Sequence, residues 1–388
     1  MPSYNYLIVG GGMTADSACR GIRDHDHAGS IGLFAAEAHM PYVRPPLSKA
    51  LWGGKDEASI FRGTPDLGVE VHAGRRIVQL DLGARTATDD SGGVHAYEKV
   101  LLATGGIPRR LPGADDVIYF RTLDDYHRLR AAAAEDARVA VVGGGFIGSE
   151  IAAALATSGC DVTMLFPEEG IGARLFPADL SSFVNDYYRD KGVRVLPGEL
   201  VEAVRAGCVT TKSGATAEAD VVVAGLGIVA ATDLAESAGL EVDDGVLVDE
   251  FGRAGGRDDV FAAGDVARFP VPALDGSRRV EHEDHANTHG RVVGANMAGA
   301  GEPYDHLPFF YSDLFDLGYE AVGDVDSRLG TVAEWAEPNR KGVVAYVDGE
   351  GRARGFLLWD TWGKVDAARE LIRAGAPVDG AVLRPLLD

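Results

Sequence analysis

Two short glycine-rich turns constrain this chain more than any other feature. The first lies in Tyr6-Leu7-Ile8-Val9-Gly10-Gly11-Gly12-Met13-Thr14-Ala15, the second in Val139-Ala140-Val141-Val142-Gly143-Gly144-Gly145-Phe146-Ile147-Gly148. In both, an apolar run suited to one buried parallel strand meets glycines and then a helix-forming stretch. Within Gly10-x-Gly12-x-x-Ala15, Gly10 allows the tight turn and Gly12 lets backbone N–H groups approach a pyrophosphate. Ala15 is small enough for helix and strand to pack closely. The phosphates would sit on a helix N-terminus, where unpaired N–H groups and the dipole favour an anion. Gly143-x-Gly145-x-x-Gly148 repeats the arrangement. One such turn can be mere packing; two predict two dinucleotides.

The rest of the chain is read around these turns. Residues 14–22 are predicted as the first helix and 30–37 as a second parallel strand. Glu37 at its end is the candidate acceptor for ribose hydroxyls. Pro41-Tyr42-Val43-Arg44-Pro45-Pro46-Leu47-Ser48-Lys49 presents an Arg and a Lys from a proline-stiffened segment, which suits fixed anionic or polar atoms. Residues 69–87, with Ile77-Val78-Gln79-Leu80-Asp81, read as short alternating strands of a small meander. The second turn predicts a strand at 138–142, a helix at 146–158 and a strand at 161–166. A helix at 178–191, a strand at 193–196 and an apolar run ending at Gly227 follow. From about residue 308 the pattern changes to antiparallel strands (311–314, 343–347) and a helix at 365–374. The fold class expected is α/β: two interleaved Rossmann-like, three-layer dinucleotide-binding domains plus a C-terminal α/β domain. The expected boundaries are 1–112 and 242–307 for the first domain, 113–241 for the inserted one and 308–388 for the last.

The string Pro-Tyr-x-Arg-Pro-Pro-Leu-Ser-Lys resembles the flavoprotein family of apoptosis-inducing factor and the NAD-dependent ferredoxin reductases that serve oxygenases. Further matches are Ala103-Thr104-Gly105, Val260-Phe261-Ala262-Ala263-Gly264-Asp265 and Arg279-Val280-Glu281-His282-Glu283-Asp284-His285. The resemblance implies FAD in the first domain and NAD in the second, NADH as donor and a ferredoxin or another one-electron carrier as acceptor. Its alternative is a redox-sensing interaction protein that holds NAD in a long-lived complex with reduced flavin. It implies that Lys49 and Glu150 pair beside the flavin, and that His282 lies near both rings, making these three the candidate catalytic residues. It places cofactor contacts at Gly10, Gly12, Met13, Thr14, Ala15, Glu37, Arg44, Lys49, Val78, Ala103, Thr104, Gly105, Arg121, Gly145, Phe146, Ile147, Gly148, Glu150, Glu168, Arg174, Gly227, Gly264, Asp265, Glu281, His282, Glu283, Tyr311 and Glu320. The C-terminal domain would set a partner or homodimer surface.

Departures from the family carry information. Ala36 stands where the ribose-binding acid is usual, Tyr311 where Trp is common, and Phe166 where a second acid is usual. The acids Glu168 and Glu169 follow instead. They would bond a ribose 2′-hydroxyl and repel a 2′-phosphate, so NADH is expected over NADPH. Arg174 would soften that preference.

Composition excludes other classes. There are 59 acidic against 37 basic residues, a net charge of −22, which argues against nucleic-acid or anionic-membrane partners. No apolar run approaches the ~20 residues of a membrane helix. The first strand begins almost at Met1, so a cytoplasmic protein without a transit peptide is expected. The three cysteines, Cys19, Cys160 and Cys208, form no C-x-x-C, which excludes a dithiol relay. His282, His285 and His289 have a metal-ligand spacing, but no Cys or acid set completes a site, and no metal is expected.

Overall fold

The computed structural model describes residues 1–205 and 207–387. The chain forms two compact units, each built from three segments. The first comprises Met1–Arg44, Asp56–Ile107 and Val229–Pro308; the second comprises Pro45–Lys55, Pro108–Ile228 and the chain from Phe309 on.

The first unit is organised on a seven-stranded sheet. Val69–Ala73, Ile31–Ala35, Ser3–Val9 and Val94–Leu102 run parallel in that order, with Val9 opposite both Phe34 and Leu102. Val260–Ala262 pairs in parallel with the second half of Val94–Leu102, while Thr86–Asp89 and Ile77–Asp81 extend the first half antiparallel. Residues 69–87 are therefore not one meander. Val69–Ala73 is the parallel edge of the main sheet, paired with Ile31–Ala35, and a strand of five residues carries no sequence pattern that separates such an edge from a meander.

Helix Met13–His25 leads directly from the first strand and packs on helix Glu283–Met297 with backbone against backbone. A Cβ at Gly21 would lie 2.0 Å from the Arg291 carbonyl, and one at Gly294 would lie 2.1 Å from that of Ala18. Gly294→Ala is expected to destabilise the protein by at least about 1–3 kcal/mol, since neither backbone can yield without separating the helices. Urea denaturation measures this as a lower midpoint at unchanged slope; a midpoint equal to the parent's would disprove the tight contact.

The second unit holds a five-stranded parallel sheet in the order Arg194–Pro197, Asp161–Phe166, Arg138–Val142, Val221–Ala224, Ile118–Tyr119. Chain order reverses on either side of Arg138–Val142, the strand that carries the second glycine turn, and such a reversal opens a crevice at the strand ends. Helices Phe146–Thr157 and Ala178–Asp190 follow their strands as the sequence implies. Phe309–Leu314, Leu317–Gly323, Ala353–Trp359, Lys341–Val347 and Gly330–Glu337 form an antiparallel sheet. Helix Val365–Ala374 buries Val365, Ala368 and Ile372 at helical spacing and ends on Gly375 in the left-handed conformation. Among the described residues, no helix is long and apolar enough to cross a membrane.

Candidate functional site

In the first unit, Gly10 has φ +135°, and a Cβ there would lie 2.1 Å from the Ala103 carbonyl. The first glycine turn and the Ala103-Thr104-Gly105 turn are thus in direct contact. Thr104 donates its hydroxyl to the Ala231 carbonyl at 2.8 Å, and Gly105 takes φ +68°. Gly12 caps helix Met13–His25 without any side-chain hydrogen bond, so the first helical N–H groups, from Met13 to Ala15, have no side-chain cap acceptor. A Cβ on Gly12 would meet only the Arg44 guanidinium, at 3.9 Å. Amides at a helix start facing a guanidinium are chemically suited to an anion such as a pyrophosphate.

Arg44 is held in place from its far side. It donates to Glu37 at 2.5 Å and to the Tyr42 hydroxyl at 3.1 Å, while Tyr42 donates to the other Glu37 oxygen at 2.6 Å. Glu37 therefore both follows its strand end and orients Arg44. Gly264, at φ +74°, lies against Thr14, where a Cβ would sit 2.2 Å from the hydroxyl oxygen. This brings the Gly264-Asp265 turn to the same helix start, and the Asp265 charge acts on Arg44. Val78 stands at a bulge between Ile77 and Gln79 and is half exposed, so its backbone interrupts the ladder there.

His282 caps helix Glu283–Met297, whose first turn carries Glu283 and Asp284. Desolvation draws the His282 imidazole down to about 4, against the pull of Asp265 and Asp284. Glu281 pairs with Arg279 at 2.5 Å. His285 and His289 are fully buried; His285 stacks on Phe269 and hydrogen-bonds the Tyr304 hydroxyl, and His289 accepts from the Gly264 amide. Among the described residues, no group of three or more His, Cys, Asp or Glu is arranged to hold a metal.

In the second unit, Gly143 takes φ +120°, and a Cβ would lie 2.4 Å from the Gly225 carbonyl. Gly148 packs equally closely on Gly143, while Gly145 has open space around its Cβ position. The helix start at Phe146 and exposed Ile147 is thus a second cradle of the same kind. Gly227 takes φ +79°, and its carbonyl accepts from the Arg109 amide. Beyond strand Asp161–Phe166, Glu168 accepts two hydrogen bonds from Arg174, at 3.0 and 2.7 Å. Arg121 donates its amide to Asp125 just before helix Leu123–Ala132.

Lys49 and Glu150 meet at 3.2 Å. The turn Pro45–Ser48 and its lysine belong to this second unit, so both partners are anchored in one body. Glu150 is 7% exposed and accepts from Ser48 and from Ser312, each at 2.6 Å. Burial raises its pKa, and Lys49 with the two hydroxyls opposes that rise. The Lys49 ammonium also lies 3.1 Å from Asp313 and 4.1 Å from the centre of the Tyr311 ring. Glu320 pairs across the sheet with Tyr311 and accepts from the Gly363 amide. Ser48, Ser312 and Asp313 were not foreseen. Adjacency to Lys49 and to Tyr311 was the only available signal.

Residues 4–290 match the family described as pyridine nucleotide-disulphide oxidoreductase, and residues 293–341 match the C-terminal region of apoptosis-inducing factor, mitochondrion-associated. The chain belongs to the pyridine nucleotide-disulphide oxidoreductase family. As a member, it is an oxidoreductase that uses FAD and NAD(H). Apoptosis-inducing factor 1, mitochondrial, of Dictyostelium discoideum is 33% identical over 95% of this oxidoreductase and 78% of its own length. The ferredoxin–NAD(+) reductase component of the anthranilate 1,2-dioxygenase system of Burkholderia cepacia is 33% identical over 96% and 95%. The reductase in the covalent putidaredoxin reductase–putidaredoxin complex superposes with a TM-score of 0.91 at 27% identity, covering 100% of this chain and 96% of that one. The disulphide of the family name has no counterpart here. All three cysteines are free, and burial pushes the Cys19 and Cys160 thiols up, away from a reactive thiolate.

Proposed function

We propose that this oxidoreductase takes electrons from NADH and hands them singly to a ferredoxin-type iron–sulfur carrier. The likeness to a ferredoxin–NAD(+) reductase component over nearly the full length of both chains carries this reading. Bound FAD supplies the chemistry, accepting a hydride from nicotinamide and releasing electrons one at a time. The chain's own residues bind and orient. The helix start after Gly12, with Arg44, holds the flavin pyrophosphate, and Glu37 and Asp265 take hydroxyls. The helix start after Gly145 holds that of NADH, with Glu168 on its ribose. Lys49, Glu150 and His282 stand beside the reacting rings, and Tyr311 offers a stacking face. We assign residues 1–112 and 242–307 to FAD, 113–241 to NAD and 308–388 to the partner or dimer surface, and we place the protein in the cytoplasm.

The match of residues 293–341 to apoptosis-inducing factor favours a second reading, a slowly reduced sensor with a long-lived flavin–NAD complex. Stopped-flow spectroscopy separates the two. We expect a yellow protein bleached rapidly by NADH and recoloured rapidly by ferredoxin; slow bleaching with a persistent long-wavelength band would favour the sensor. In the same experiment NADPH should give a lower kcat/KM than NADH, because Glu168 repels a 2′-phosphate even with Arg174 on it. Equal values would show that Glu168 does not face the ribose.

A further inference from the structure

Apart from Ser48, the partners of the Lys49–Glu150 pair come from three consecutive residues, Tyr311, Ser312 and Asp313. They lie on strand Phe309–Leu314, an edge strand of the C-terminal sheet, and Ser312 is 162 residues from Glu150 along the chain. The Lys49 ammonium sits between two carboxylates at nearly equal distance. Glu150 is 7% exposed and Asp313 is 51% exposed. The Tyr311 ring bounds the ammonium from another side. An ammonium bonded to a single carboxylate can swing about it; one shared between two and resting on a ring has one position left. The Glu150 carboxylate is fixed in the same way, with one oxygen on Ser48 and the other on fully buried Ser312. An isolated exposed ion pair would be worth little. Lys49, however, is only 15% exposed, so Asp313 acts on a partly desolvated charge.

We propose that Asp313 and Ser312 are positioning residues of the redox site. Asp313 sets where the Lys49 ammonium rests and Ser312 fixes Glu150, so the C-terminal sheet governs the geometry of the pair. The inference rests on the role given to Lys49 and Glu150 under the proposed function.

The test uses the FAD-loaded protein and its Asp313→Asn, Asp313→Glu and Ser312→Ala variants. Two quantities are read: the flavin midpoint potential without nucleotide, and the limiting rate of flavin reduction by NADH. Asp313→Asn removes a negative charge from Lys49, so reduced, anionic flavin is favoured and the potential should rise. The reduction rate should nevertheless fall about 5-fold or more, because the ammonium loses its place, while the NADH concentration for half-saturation changes less than about twofold. A rate that falls while driving force increases is the mark of lost positioning. Asp313→Glu should restore most of both, and Ser312→Ala should slow reduction with a smaller change in potential. An Asp313→Asn protein with the parent's potential and rate overturns the inference. If the parent itself is not reduced by NADH, the proposed function fails first, so the two failures are distinguishable.

Discussion

Lys49→Ala and Glu150→Ala should each slow flavin reduction by NADH at least about 10-fold while FAD stays bound, within the range that misplacement of reacting groups commands. The structure makes the two losses unequal in kind. Glu150→Ala leaves Lys49 still paired with Asp313. Lys49→Ala leaves a buried carboxylate supported only by two hydroxyls, and burial already pushes its pKa up. That carboxylate is expected to take up a proton rather than remain an uncompensated charge. Lys49→Ala should therefore also make reduction pH-dependent around the raised Glu150 pKa, which Glu150→Ala cannot. The double variant should be little slower than Lys49→Ala alone, because the two side chains act as one unit. Stopped-flow traces of the three variants decide the matter; losses that multiply would dissolve the pair into two independent residues.

Acid should destabilise the first unit well before any depressed carboxylate titrates. His285 and His289 are fully buried, and desolvation lowers His285 to about 3 and His289 well below its ordinary value. Because the Gly264 amide donates to Nδ1 of His289, the neutral ring carries its proton on Nε2, which has no hydrogen-bond partner. The unfolded chain binds protons on both rings below pH ~6.5 and the folded one does not, so their contribution is intact above that pH and is lost as pH falls. At pH 5 this amounts to about 2 kcal/mol for His285, a sizeable share of a typical 5–15 kcal/mol, and His289 acts in the same sense. His282, lowered to about 4, acts in the same sense, and Glu150, raised by burial, in the opposite one. Urea midpoints at pH 7 and pH 5 measure the sum. An unchanged midpoint would mean that the two rings are not held neutral.

How much of this was legible in the sequence follows from distance along the chain. A glycine turn writes its whole requirement within six residues, so both cradles and the helices behind them could be read directly. The Pro-Pro-Leu-Ser-Lys string flagged Lys49 in the same way. Ser312 and Asp313 were hidden because their use depends on which strand the fold brings to Glu150. The pairing of Arg278 and Arg279 was hidden for a related reason: Arg279 is 10% exposed and spent on Asp244 and Glu281, and Arg278 donates to backbone carbonyls. Glu37 was read for its place at a strand end, and its second task, orienting Arg44, needed the geometry of Tyr42 as well.

The backbone contact between helices Met13–His25 and Glu283–Met297 also dictates when the first unit can exist at all. Ser17 bonds Asn287, 270 residues later, and Gly21 touches Arg291. A nascent chain emerging from the ribosome thus exposes the apolar flank of its first helix until helix Glu283–Met297 has been made. Strand Val94–Leu102 waits almost as long for Val260–Ala262. The parallel sheet from Ile118 to Ala224 is contiguous and can close in the interval. Within the first unit, the segments translated first therefore wait longest for their partners, and the unmatched helix is the natural client for a chaperone during that delay.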